Sequence, residues 1–130
     1  MNATTHQIPG FPFSVTDEDI ANLLCSAFEG GATYWVRRAT SSNTRSVYAS
    51  DGLKDGGEIR LRYDAVDQDE GNGKGRFTLT LDAMLNGLAL MLSFKDGTRF
   101  YMAHITGDLQ DAETADCALQ FAVLGDIVYG

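Results

Sequence analysis

Cysteine, histidine, proline and tryptophan are scarce in this chain, and each scarcity excludes something. Only two cysteines, Cys25 and Cys117, occur in 130 residues. With no Cys-x-x-Cys pair and no well-spaced histidine they give no zinc signature. Both fall in helical patterns among apolar neighbours, where a thiol serves as a small buried hydrophobe in a reducing compartment. The two histidines are His6 and His104. Nucleophilic catalysis needs Ser, Cys or Thr beside a base, usually histidine. His6 lies in an unpatterned start, and His104 is flanked by Met102, Ala103 and Ile105, which suits a packed side chain. Gly-x-Ser-x-Gly, phosphate-loop and His-Glu-x-x-His motifs are missing. The expectation is a protein that is not an enzyme, with no catalytic residue, no cofactor and no metal.

Long apolar runs are missing too. The most apolar stretch, Leu79 to Leu92, carries Asp82 and Asn86 and is too short to span a bilayer. The N-terminus lacks the basic region and apolar run of a secretory leader, so a cytoplasmic protein with no membrane partner is expected. Basic residues are few: ten against eighteen acids, for a net charge of −8. That balance disfavours direct DNA binding. The length suits one domain, residues 1–130, with 1–10 as a loose lead-in.

What is present is helical punctuation at both ends. Thr16 is an N-cap residue, and Asp17, Glu18 and Asp19 follow in the first turn, where the helix dipole favours negative charge. Ile20, Leu23, Leu24, Ala27 and Phe28 then form one buried stripe, and Gly30-Gly31 offers a positive-φ stop. Thr80 caps a second helix from Leu81 to about Phe94, with Gly87 positioned for a close helix contact. Asp111 caps a third, from Ala112 to Leu124.

Strand signals lie between. Phe11–Val15 reads as an edge strand, because Pro12 has no N–H to give to a ladder. Tyr34–Ala39 is aromatic and β-branched. Glu58–Ala65 alternates strictly, placing Ile59 and Leu61 inside and Arg60 and Arg62 outside. Arg76–Leu79 resumes a strand, Ser46–Ala49 gives a faint one, and Arg99–Ile105 fits either a strand or an irregular segment. Three helices and four to six short strands without βαβ alternation predict an α+β fold with a mainly antiparallel sheet.

Charge is unevenly distributed. Ala32–Tyr63 holds six basic residues and three acids, a local +3, so a chain total of −8 leaves −11 elsewhere. Tyr34, Trp35, Tyr48 and Tyr63 are interleaved with those arginines. Guanidinium forks pair with phosphates and aromatic faces stack on bases. Tyr34, Trp35, Arg37, Arg60 and Arg62 are therefore candidates for an anionic-ligand site, with Arg37 or Arg38 beside Arg60 and Arg62 if the two strands pair. The same arginines also suit the plain solvent face of a sheet, paired with acids.

Asp64, Asp67, Asp69 and Glu70 are candidates for a negative surface that imitates a phosphate backbone before a basic protein groove. A calcium loop over Asp67–Gly73 fails on spacing: Gly71 stands at the fifth-position ligand, Asn72 at the invariant glycine and Thr78 at the required Glu. Phe121, Leu124, Ile127, Val128 and Tyr129 carry more apolar surface than one helix and a short strand hide, which points to a homodimer through the C-terminal segment.

The segments Thr16–Val36, with Glu29-Gly30-Gly31 and Tyr34-Trp35, and Asp111–Gly130, with Ala115-Asp116 and the final Gly-Asp-Ile-Val-Tyr-Gly, resemble a family of small bacteriophage and prophage accessory proteins. That resemblance covers about a third of the chain. It implies a viral protein acting in the host bacterial cytoplasm and carries over no catalytic residue. Three functions compete. One is an anti-CRISPR-like inhibitor that binds a host defence protein with its acidic surface. Another is a sponge for an anionic nucleotide signal. The last is a virion structural or assembly protein.

Overall fold

The computed structural model describes residues 4–42, 48–64, 74–94, 100–107 and 109–129. It is an α+β fold with two antiparallel sheets and four helices among those residues. β1 (Thr5–Gln7) pairs with β2 (Ser14–Thr16). The lead-in is thus ordered from Thr5, and Ile8 is wholly buried. The edge strand expected from Phe11 begins only at Ser14. The amide of Phe11 donates to the Ile8 carbonyl in the turn between the two strands, so Pro12 stays out of the ladder.

α1 (Asp17–Ser26) starts at a reciprocal cap. Thr16 Oγ1 accepts from the Asp19 amide at 3.0 Å, and the Thr16 amide donates to Asp19 Oδ2 at 2.9 Å. The expected stripe is buried at Ile20, Leu23, Leu24 and Ala27, with Phe28 packed at its margin. The helix does not stop at a positive-φ glycine, because neither Gly30 nor Gly31 has positive φ. It widens into a π-turn, Ala27–Gly31, closed by Ala32 N–H donating to the Ala27 carbonyl at 2.9 Å. Glycine is needed at 31 for proximity: a Cβ there would lie 2.1 Å from the carbonyl oxygen of Ala112.

The three-stranded sheet runs β3 (Val36–Ser41), β4 (Ile59–Asp64), β5 (Lys74–Leu79), antiparallel throughout. β3 starts at Val36, not Tyr34. The amides of Trp35 and Val36 both donate to the Ala32 carbonyl, which holds Tyr34 and Trp35 in the preceding turn. Ile59 and Leu61 are buried and Arg60 and Arg62 exposed, as the alternation requires. Ala49 opens a single 3-10 turn, Ala49–Asp51, and forms no strand. Residues 46 and 47 of that weak segment, like the 67–73 loop, lie outside the described residues.

α2 (Leu81–Ser93) and α4 (Ala112–Leu124) begin at Thr80 and Asp111, whose side chains accept from the Ala83 and Thr114 amides. α4 ends at Gly125, in the left-handed region at φ 79°. The two helices pack together across Gly87. Met84, Leu88, Met91 and Leu119 are almost wholly buried, each contributing about 1.5–3 kcal/mol of apolar transfer. Between these two helices the undecided segment forms a short helix, α3 (Met102–Thr106), not a strand. No helix among the described residues is long and apolar enough to cross a membrane.

The terminal Ile127-Val128-Tyr129 forms no strand either. It folds back on its own chain, where Gln120 Oε1 accepts from the Val128 and Tyr129 amides at 2.8 Å. Phe121 is 4 % exposed and the Tyr129 ring lies against Trp35, so these two residues find their cover within the protein; Val128 stays exposed.

Candidate functional site

Cross-strand register builds the site. In β3–β4, Arg38 stands opposite Arg62 and Thr40 opposite Arg60. In β4–β5, Arg62 stands opposite Arg76 and Arg60 opposite Thr78. Directly opposed residues share a face of a sheet, and so do residues two apart on a strand. Arg38, Arg62 and Arg76 therefore form one row, and Thr40, Arg60 and Thr78 the next. With strands about 4.8 Å apart and a rise of about 3.4 Å per residue, the four arginines cover a patch roughly 10 Å by 7 Å. All six side chains are exposed and border an open depression of about 470 Å³.

The other face of the same strands, with Ala39, Leu61 and Phe77 in register, packs on the core. Like charges directly opposite one another destabilise a sheet. Yet four of the chain's ten basic residues converge here in a protein of net charge −8. Among the described residues, the ion pairs join His6 to Asp17, Arg37 to Asp64 and Lys54 to Asp51; none involves these four arginines.

Arg37 takes a different place. The β3–β4 register shifts between Val36 and Arg38, a bulge that sends Arg37 out of the row. Its guanidinium binds Asp64, with Nε 2.9 Å from Oδ2 and Nη2 on the same oxygen. That contact raises the Arg37 pKa and neutralises Asp64, the one acidic-surface candidate among the described residues. Asp67, Asp69 and Glu70 lie outside them.

The aromatic candidates do not join the arginines. Trp35 is wholly buried and has no face free for a ligand. Its Nε1 donates to Asp116 Oδ1 at 2.7 Å, and the Tyr34 hydroxyl donates to Asp116 Oδ2 at 2.6 Å. Gln120 Nε2 adds a third donor at 3.0 Å. Burial, then the bond to Asp116, pushes the Tyr34 hydroxyl well above its ordinary pKa. The Tyr129 ring stacks on Trp35 with centroids 5.2 Å apart, while Tyr63 meets Trp35 edge-on at 5.8 Å. This cluster carries a buried carboxylate and seats the C-terminal segment. It is a structural knot that ties the C-terminal segment to the core.

A second cleft, of about 450 Å³, is bordered by His104, Asp111, Glu113, Asp116 and Cys117. His104 Nδ1 accepts from the Tyr101 amide at 2.8 Å. Burial, then the charges of Asp116, Glu113 and Asp111, pushes the Cys117 thiol up to about 11. A thiol so placed stays protonated at neutral pH, the opposite of an activated nucleophile. Among the described residues no three His, Cys, Asp or Glu side chains converge as metal ligands.

The structure thus brings the candidates Arg60 and Arg62 together with Arg38, which the sequence offers only as an alternative to Arg37, and sets beside them Arg76, Thr40 and Thr78, which the sequence reading does not name. Alternation in Arg76-Phe77-Thr78-Leu79, with polar residues at 76 and 78, was the available signal. The fold and this face define an α+β protein with an exposed, arginine-lined antiparallel sheet. Comparison of the chain with protein-family models, curated proteins and solved structures found no match in any of the three.

Proposed function

We propose that the protein is a non-enzymatic recognition protein that captures an anionic nucleotide signal on the outer face of the β3–β4–β5 sheet. As a bacteriophage accessory protein it would withhold that signal from a host defence. The observation that carries this reading is the row Arg38–Arg62–Arg76 with Arg60 beside it, a set of aligned like charges outside the ion pairs seen among the described residues. An anion bridging the guanidinium groups relieves their mutual repulsion and gains charge-assisted hydrogen bonds. Inhibition of a defence protein through acidic residues has less support, because Asp64 is already bound to Arg37.

Calorimetry with a panel of cyclic and linear nucleotides tests the proposal. At least one is expected to bind, with affinity about tenfold weaker in Arg60→Ala and in Arg62→Ala. If none binds, or if both variants bind as the parent does, the arginine face is not a nucleotide site.

A further inference from the structure

We infer that the nucleotide is a compact polyphosphate, a nucleoside di- or triphosphate or a chemical relative of one, held through its phosphates with its base left unread. This rests on the reading of the sheet face as a nucleotide site and specifies its ligand class.

Three features converge on it. The first is the density of forks. Three guanidinium groups stand side by side with a fourth one step along the central strand, a spacing set by the hydrogen-bonded ladder. Each fork takes two oxygens of a phosphate, and neighbouring forks on adjacent strands suit phosphates that are directly linked. Thr40 and Thr78 flank Arg60 on the same face and add hydroxyl donors for the remaining oxygens.

The second is the boundary. Asp64 follows Arg62 by two residues on β4. The carbonyl of Glu58, just before the strand, accepts from the Ser42 amide at 2.8 Å, which carries the pairing one residue further, so alternation puts both carboxylates on the arginine face. A phosphodiester backbone following β4 would meet the Glu58 carboxylate at one end and the closed Arg37–Asp64 pair at the other. The cationic patch is therefore short along the strand and matches a compact anion, not a continuous one.

The third is what the face lacks. Trp35 is buried, and Tyr63 and Phe77 alternate inward and are half-buried, so among the described residues these strands carry no fully exposed aromatic residue; Phe77 and Tyr63 only border the depressions that the arginines line. Proteins that hold single-stranded nucleic acid combine a cationic groove with such rings. Among the described residues of these strands only the cationic half is fully exposed.

Competition binding with the full chain at fixed ionic strength tests this, using ATP, GTP, inorganic triphosphate, AMP, a cyclic dinucleotide and single-stranded oligonucleotides of increasing length. Inorganic triphosphate, ATP and GTP are expected to bind within about threefold of one another, and AMP about tenfold or more weaker. Arg38→Ala and Arg76→Ala should each weaken triphosphate about tenfold. Arg38→Lys should lose nearly as much, because it keeps the charge and removes the fork. Glu58→Gln should tighten binding. These residues are exposed and, for the arginines, mutually repelling, so circular dichroism should match the parent and thermal midpoints should not fall below it, and the Lys and Gln variants serve if an alanine variant fails to fold. A cyclic dinucleotide or AMP that binds as tightly as triphosphate overturns the polyphosphate inference and leaves nucleotide capture standing. Triphosphate affinity unchanged in both alanine variants also overturns it. Oligonucleotide affinity that rises with length and exceeds that of triphosphate overturns the inference and the nucleotide reading together, as does the failure of every ligand to bind.

Discussion

Replacing Gln120 by leucine probes the knot that holds the C-terminal segment. The change keeps the side-chain volume close and removes every hydrogen bond that the amide makes. Gln120 is wholly buried on α4. Its Nε2 donates to the Asp116 carboxylate at 3.0 Å, and its Oε1 accepts from the Val128 and Tyr129 amides at 2.8 Å. A hydrogen bond to a charged group is worth about 1.5–3 kcal/mol and a neutral one about 1 kcal/mol. Val128 is 42 % exposed, so water replaces part of what the tail amides lose. The buried Asp116 keeps Tyr34 and Trp35 as donors. The net cost is about 3 kcal/mol. For 130 residues the unfolding entropy is about 0.27 kcal/mol/K, so the thermal midpoint should fall by about 11 °C.

A local readout accompanies the global one. Trp35 is the chain's single tryptophan, and Tyr129 covers its ring. A released tail wets the indole, and its emission should shift to the red. A midpoint within about 3 °C of the parent, with Trp35 emission unchanged, would show that Gln120 does not hold the segment and would refute the account of the knot.

Two further outcomes follow from packing and from titration. Gly87→Ala gains about 1 kcal/mol of helix propensity, but its Cβ would fall 2.6 Å from the Ala122 backbone, which cannot yield as a flexible side chain does. The variant should be about 2 kcal/mol less stable in urea titration, and a stabilised protein would contradict the close α2–α4 contact. At alkaline pH, Tyr34 and Tyr129 are raised above their ordinary 10.0, and Cys117 is raised from 9.0 to about 11, mainly by burial in each case. The folded state holds these protons more tightly than the unfolded chain, so their stabilisation is complete below pH 9 and is lost as pH rises from 9 to 11 and beyond. Thermal midpoints measured from about pH 8 to 11 should decline, with the first part of the decline reduced in Cys117→Ala; Cys25, raised from 9.0 mainly by its bond to Glu29, supplies the rest. A flat profile would contradict the desolvation of Cys117 and Tyr129 and the bond from Tyr34 to Asp116.

What the sequence determined by itself was local. Thr16, Thr80 and Asp111 cap the three long helices because a cap needs only a side-chain oxygen and an amide three residues on. The alternation of Ile59-Arg60-Leu61-Arg62 fixed which residues face water, because the pleat has a period of two. The α+β class followed from the order of such segments. Tertiary structure decided everything that depends on residues distant in sequence. Register placed Arg38 and Arg76 beside Arg62, a bulge removed Arg37 to Asp64, and the tail folded over Trp35 and turned an expected ligand aromatic into core. Gly31 looked like a helix stop and proved to be the clearance that Ala112 requires. The physical reason is common to all four. Caps and periodicity arise from bonds within a turn or a pleat, whereas an alignment of charges or a contact between backbones exists only once strands have paired and helices have packed.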